Sequence, residues 1–436
     1  MDKKRKNSSV IAGLDVGTTK ICAIVGEVTD DRINILSLKS HPSTGLRKGI
    51  VIDIEATANS IRNAVADAAE HAGIDIREVY VGIAGSHIKS FNSFGAVGIK
   101  GSEVTREDVD RAIDSASAVY VPLDREILHV LPTDFILDGQ DGIKDPVGMA
   151  GVRLEVKVYI VTGAVASVQN LLKCCERAGL EVVDIVLQPL ASAEATLNEE
   201  EREMGIAVVD IGGGTTDVAI YKEGCLRHTA VLGIGGNHFT NDMSVGLRLP
   251  FHEAERVKKK YGSVLIGTPA AEEVEVVAID GQVRGIPAKY LAEILHPRAE
   301  ELLELVKQEL QAMHDNGLVV SGIVLTGGAS LISGFDRLAE AILSLPVRTG
   351  YPDLALRNEL KNSRRPSALN EDPSGFRGMK EANGEFSSPM YSTGIGLVLY
   401  GMQMLPSAEK EGFSTDIFNK LVSKMTGWFK NILRKK

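Results

Sequence analysis

One turn constrains this chain more than any other feature. In Asp210-Ile211-Gly212-Gly213-Gly214-Thr215-Thr216-Asp217, three glycines and two threonines lie between aspartates, and apolar runs at 206–209 and 218–221 flank them. The runs read as buried strands. Glycines let backbone N–H groups come close to a ligand. Inward-pointing N–H groups form an anion nest, and the threonine hydroxyls add donors. Asp210 closes a strand, a poor place for packing and a good one for facing magnesium or a water. Alone, the turn fits an ordinary glycine-rich hairpin equally well. A second copy shifts that balance. Asp15-Val16-Gly17-Thr18-Thr19-Lys20 follows an apolar run at 11–14 and precedes another at 21–25. One unit repeated at long range marks a duplicated structure. Two such hairpins, facing each other, would clamp a polyphosphate from both sides. Asp15 and Asp210 would each bring a carboxylate to the metal.

A third element follows in Ile323-Val324-Leu325-Thr326-Gly327-Gly328-Ala329-Ser330, a strand running into a double glycine, with a helix expected from near Leu331. Such turns and helix starts accept anions and sugars at close range. Neither a Walker-type loop nor a G-x-G-x-x-G after a strand is present. These three elements, in this order, resemble the phosphate-1, phosphate-2 and adenosine motifs of the superfamily of actin, heat-shock chaperones and sugar kinases.

The length of 436 residues suits two lobes with insertions. A net charge of −10 speaks against general nucleic-acid binding. Cys22, Cys174, Cys175 and Cys225 have no metal spacing and suit a reducing compartment. The basic residues at 3–6 precede a stretch broken by Asp15 and Lys20, so no signal peptide is read there. No run is long and uncharged enough for a membrane span.

Along the chain, a third strand is expected at 32–38, a helix at 54–71 closed by Gly73, and a strand at 79–84. Between residues 85 and 162 the order changes. A helix at 105–116 opens with a capping signal, and short strands follow at 126–131, 134–137 and 154–161. This reads as an α+β insertion in preference to a continuation of the first lobe. Then come a helix at 164–178, a strand at 182–186, and a helix starting at Gln188-Pro189-Leu190-Ala191-Ser192. Gly235-Gly236 forms another glycine turn. The helix Phe251–Tyr261 carries Glu255, Lys258 and Lys259, which read either as a solvated face or as the bracket that chaperones place around adenosine. A helix is expected at 299–313. Residues 353–388 are too polar to order themselves and read as a loop. Tyr391–Gly401 is a glycine-rich helix that resembles the connection back to the first lobe.

The tail has its own character. After a polar linker at 403–413, Ile417, Phe418, Leu421, Val422, Met425, Trp428, Phe429, Ile432 and Leu433 form one helical stripe. Lys420, Lys424 and Lys430 occupy the other face. Apolar and aromatic residues opposite lysines are the pattern of a helix lying in a membrane interface. A last core helix and a groove-binding helix are the competing readings. The linker and the basic face favour the membrane.

With these elements together, nearly the whole chain resembles the FtsA family of actin-like bacterial cell-division proteins. The residues that carry this are the two hairpins, the 188–194 segment, Gly235-Gly236, Thr326-Gly327-Gly328-Ala329, Thr393-Gly394-Ile395-Gly396-Leu397 and the tail. The loop after Tyr351 is longer than the family pattern suggests. The resemblance implies an α/β, actin-like ATPase fold with two duplicated lobes. Lobe I would comprise 1–84, 163–204 and 389–402, with the insertion at 85–162. Lobe II would comprise 205–245 and 303–352, with a smaller subdomain at 246–302 and the amphipathic helix at 414–436. ATP and Mg2+ would sit in the cleft on Asp15, Gly17, Thr18, Thr19, Lys20, Gly212, Gly213, Gly214, Thr215, Gly235, Gly236, Glu255, Lys258, Lys259, Gly327, Gly328 and Ala329. Asp15 and Asp210 would hold the metal through its waters, and Gln188 would position the attacking water. An amide is a poor base, so turnover would be slow. The C-terminal peptide of the tubulin-like FtsZ would dock at 246–302 near Arg298, with Lys289 a weaker candidate. Further partners would be other copies of the chain, later division proteins and the anionic membrane. The location implied is the cytoplasmic face of the cell membrane at the division site. A pilus-assembly adaptor of the PilM type is the nearest rival, since that family shares the fold but lacks such a tail. A sugar kinase would need a base facing a sugar pocket, and a chaperone would need a substrate domain after the final helix; neither is found.

Overall fold

The computed structural model describes residues 9–29, 32–267, 273–354 and 386–405. The amphipathic tail, residues 406–413 of its linker and most of the 353–388 segment lie outside these.

In chain order the first elements are β1 (Ser9–Val16), β2 (Lys20–Thr29), β3 (Arg32–Pro42), the small pair β4 (Leu46–Arg47) and β5 (Ile50–Val51), α1 (Ile54–Ala72) and β6 (Glu78–Ile83). Next come β7 (Lys89–Gly98), α2 (Arg106–Ser117), β8 (Arg125–Leu137), β9 (Gln140–Ile143) and β10 (Arg153–Ala164). The chain continues through α3 (Val165–Arg177), β11 (Glu181–Leu187), α4 (Gln188–Thr196), α5 (Glu199–Met204), β12 (Ile206–Ile211), β13 (Thr216–Lys222) and β14 (Cys225–Leu232). Then follow α6 (Gly236–Leu247), α7 (Phe251–Tyr261), β15 (Glu273–Val277), β16 (Val283–Pro287) and α8 (Lys289–Asp315). Last are β17 (Gly322–Thr326), α9 (Phe335–Leu343), β18 (Val347–Thr349) and α10 (Ser392–Met404).

The duplication appears directly in the sheets. One runs β11-β6-β1-β2-β3 and the other β18-β17-β12-β13-β14. In each, an antiparallel three-strand meander adds two parallel strands beside its first strand. Strands flanked by helices on both faces are apolar throughout rather than alternating, and β12 is buried at every position. Between the sheets lie α4 and α10. Leu190, Ala191, Leu397 and Tyr400 share a core with Val208 and Ala219 of lobe II.

The insertion is a separate antiparallel sheet, β7-β10-β8-β9. Helix α2 covers it, with Val109 and Ile113 packed on Val156 and Val158. Thr105 and Asp108 cap that helix reciprocally. Tyr159 Oη accepts from the Thr229 N–H at 2.7 Å, which ties the insertion to β14 of lobe II.

Three expectations change. The helix expected from residue 299 begins ten residues earlier and carries Pro297 inside it. Leu291, Ala292 and Leu295 are buried in the lobe II core, and their packing outweighs the hydrogen bond that proline removes. Arg298 therefore lies within this helix, not ahead of it. The strands expected at 126–131 and 134–137 form one, with a register shift opposite Lys157/Val158. After Gly327 there is only a short 3-10 turn, Gly328–Leu331, and the α-helix waits until Phe335.

Candidate functional site

The two Asp–Gly–Thr turns meet tip to tip. A methyl built on Gly213 would lie 2.6 Å from Thr19 Oγ1, and one on Gly214 would lie 2.7 Å from Thr18 Oγ1. Gly17 N–H closes the first turn on Lys20 O at 3.1 Å. Behind the tips, Asp15 is the penultimate residue of β1 and Asp210 stands directly across β12–β13 from Asp217, so the latter pair share one face of the sheet.

Helix α4 serves both lobes from one turn. Gln188 Nε2 donates to Asp15 Oδ1 at 3.1 Å. Ser192, one turn on, donates to Asp210 Oδ2 at 2.5 Å. Thr393, from α10, donates to the same oxygen at 3.1 Å. Lys20 reaches the Met390 carbonyl at 2.5 Å and sits 4.5 Å from the centre of the Tyr391 ring.

Three carboxylates buried together resist ionisation. Burial lifts Asp15 to about 6, with Lys20 opposing and Asp210 adding to the rise. Burial also raises Asp210, against the hydrogen bonds from Ser192 and Thr393. Asp217 is raised well above the ordinary carboxylate range by burial and then by Asp210. Its Oδ1 has no hydrogen-bond partner among the described residues. The sign for stability follows. A folded-state pKa above the unfolded value means that the folded form binds the proton more tightly, so stability present at low pH is lost as pH rises through 6. Asp15→Asn is expected to make the ligand-free protein more stable at pH 7.5, by about 3 kcal/mol at most. The advantage should shrink between pH 6 and 4. Melting curves of both proteins across that range check it, and a constant difference would refute it.

At the other end of the cleft, Gly236 N–H donates to Gly212 O and Asn237 N–H to Gly213 O, both at 2.8 Å. The start of α6 thus rests on the second turn. Ala329 is buried and lies beside Gly236. Gly327 takes a left-handed φ of 85° and donates to Pro389 O at 3.2 Å, while Gly328 is more open. Lys258 is buried, donating to Gly236 O at 2.9 Å and Thr240 Oγ1 at 2.7 Å, and it pairs with Glu255 at 2.6 Å. It ties α7 to the start of α6. Lys259 pairs with Glu255 at 3.2 Å from the surface. Arg298 and Lys289 stand apart from this cluster on α8. Arg298 Nε donates to Asp242 at 2.6 Å, and Nη1 to Glu301. Lys289 lies over the Tyr290 ring.

Sequence reading did not assign Ser192, Thr393 or Asp217 to the site. The available signal for Ser192 was its spacing from Gln188. For Asp217 it was the hairpin register, which pairs it with Asp210. The donor set fits a magnesium polyphosphate. Glycine and threonine turns suit the phosphates, and the carboxylates are the hard oxygens magnesium prefers. Among the described residues no three His, Cys, Asp or Glu side chains converge closely enough to hold a metal directly.

The model of "SHS2 domain inserted in FTSA" matches residues 85–162, and that of "Cell division protein FtsA" matches 207–396. The Pseudomonas aeruginosa cell division protein FtsA is 42% identical over 94% of this chain and 95% of its own length. The chain belongs to the FtsA family. The Escherichia coli K12 FtsA is 35% identical over 98% of both chains, and the Neisseria meningitidis FtsA is 47% identical over 81% of this chain and 85% of its own. In fold, this FtsA-family chain is similar to the PilM–PilN type IV pilus biogenesis complex, with a TM-score of 0.61 at 18% identity, covering 90% of this chain and 98% of the other. At that identity the likeness concerns fold alone, so the pilus-adaptor reading gives way to the FtsA one. The fold is the actin-like ATPase fold carrying an SHS2 insertion.

Proposed function

We propose that this FtsA-family cell division protein binds ATP with Mg2+ between its two hairpins, polymerises, and tethers FtsZ to the cytoplasmic face of the cell membrane at the division site. The observation that carries the nucleotide reading is the single turn of α4 that hydrogen-bonds one buried carboxylate from each lobe. A ligand drawing Asp15 and Asp210 together would be registered by Gln188 and Ser192 at once, and so by the packing of α4 on α10. Bound magnesium would neutralise phosphate charge. Asp15 and Asp210 would orient its waters, and the turn N–H groups would donate to phosphate oxygens. Gln188 holds a water without deprotonating it, so turnover is slow.

The membrane half rests on the sequence of residues 414–436. Each lysine near an anionic surface is worth about 1 kcal/mol, so one tail binds reversibly and many tails on one polymer bind firmly. Among the described residues no helix is long and apolar enough to cross a membrane. The subdomain at 246–302 receives the FtsZ C-terminal peptide. Its exposed Phe251, Ile279 and Tyr290 offer apolar contacts, and Lys289 lies over the Tyr290 ring. Arg298 contributes less than its sequence position suggests, because Asp242 and Glu301 already offset its charge. The insertion meets neighbouring copies and later division proteins.

Co-sedimentation with anionic vesicles tests the tether. The full chain should pellet and carry FtsZ with it. A chain ending at Gly412 should remain in the supernatant with FtsZ bound. Equal pelleting of both, or of neither, would overturn the membrane assignment.

A further inference from the structure

The β4–β5 pair is joined by Lys48-Gly49, both at positive φ (50° and 75°), with Arg47 paired to Ile50. This is a two-residue turn whose first position favours Asn, Asp or Gly. A lysine there is held in a conformation that side chains disfavour. Its placement gives a reason. The next residue, Gly49, donates its N–H to Thr18 Oγ1 at 3.1 Å, at the tip of the lobe I hairpin. The Lys48 side chain instead runs to lobe II, with Nζ 3.6 Å from where a methyl on Gly233 would stand. Gly233 opens the turn whose Gly236 rests on Gly212. One residue therefore leans on the first hairpin through its backbone neighbour and reaches the turn beside the second with its ammonium.

The charges around the cleft sharpen the point. A magnesium triphosphate would enter beside Asp15, Asp210 and Asp217. The other cleft lysines have protein acceptors: Lys20 has the Met390 carbonyl, and Lys258 has Gly236, Thr240 and Glu255. Lys48 is exposed, and no hydrogen bond or ion pair holds its ammonium among the described residues. Resting on the ATP reading above, we propose that Lys48 is a nucleotide-sensing residue. Its ammonium bridges from lobe I to the terminal phosphate held against lobe II, so that the chain distinguishes a triphosphate from a diphosphate across its own cleft.

The test is displacement of a fluorescent nucleotide from the full-length chain by ATP and by ADP, with Mg2+, comparing Lys48→Asn, Lys48→Arg and Arg47→Ala. Asn tolerates the left-handed conformation, so Lys48→Asn removes the charge while keeping the turn, and its ligand-free melting midpoint should not fall. ATP affinity should drop about 10–100-fold in Lys48→Asn, the size of one hydrogen bond to a charged group. ADP affinity should change by less than about threefold, Lys48→Arg should recover most of the loss, and Arg47→Ala should match the parent. Equal loss for ATP and ADP, or no loss, would overturn the role of Lys48 while leaving the nucleotide site standing. Failure of the parent chain to bind either nucleotide would overturn the ATP reading itself, and Lys48's role with it.

Discussion

Gly396→Ala is expected to destabilise this protein by at least about 3 kcal/mol, against the usual direction for such a change. In a helix interior alanine is worth roughly 1 kcal/mol more than glycine, and Gly396 lies in the middle of α10. The reversal comes from packing. A methyl there would lie 1.7 Å from the Ala191 carbonyl oxygen and 2.3 Å from its carbon, and backbone does not rotate aside as a side chain can. Helix α10 would have to lift off α4, and overpacking of this kind is destabilising by about 1–3 kcal/mol or more. Ala191 lies between Gln188 and Ser192, so the lift also pulls at the groups that hold Asp15 and Asp210. The thermal midpoint should fall by about 3 °C or more. Gly98→Ala is the control, because its methyl meets nothing within 4 Å among the described residues, and it should shift stability by no more than about 0.5 kcal/mol. Equal midpoints for the two variants would show that the helices separate without loss.

How much of this was legible in the sequence depends on whether the deciding contact was local. The paired Asp–Gly–Thr turns were readable because each is a continuous stretch with its own strands. Their duplication then implied two related sheets. Strand β7 escaped because it reads Ser-Phe-Asn-Ser-Phe-Gly-Ala-Val, with no clean alternation. Its Gly95 is small because α2 packs on it, a methyl there reaching 2.4 Å from the Ala112 carbonyl. Strand β14 escaped because an edge strand interleaves Arg227, His228 and Thr229 with its apolar positions. The first ten residues of α8 escaped because no local rule reports the core contacts of Leu291 and Leu295. Within the site, Glu255 and Lys258 were visible as a charged pair on one helix face. That Lys258 is buried against Gly236 depends on how α6 and α7 pack. Ser192 lies inside a segment already singled out, yet its partner Asp210 is brought to it only by the crossing of lobe II over α4.

Gly327→Ala should abolish the nucleotide site through Asp210. Gly327 has φ 85° and ψ 165°, a region essentially reserved for glycine, where another residue costs about 1–3 kcal/mol. The added methyl would lie 2.3 Å from Asp210 Oδ1 and 2.6 Å from the Ile211 carbonyl oxygen. Asp210 has little freedom to turn away, because Ser192 and Thr393 both donate to its other oxygen. Either the carboxylate gives up those bonds or β17 shifts against β12, where Thr326 and Asp210 are paired. Both movements displace the group proposed above to orient the metal's waters, so ATP affinity should fall at least about 100-fold, the equivalent of about 2.7 kcal/mol. A double-mutant cycle separates this clash from backbone strain. In an Asp210→Ala background the carboxylate is gone and only the strain and the Ile211 contact remain. The stability loss caused by Gly327→Ala should then be smaller by more than about 1 kcal/mol, read from denaturant midpoints at constant slope. Additive losses would mean that Asp210 is not what the methyl strikes. The coupling between Gly327, just past β17, and β12 would then have to run through the backbone of Ile211 alone.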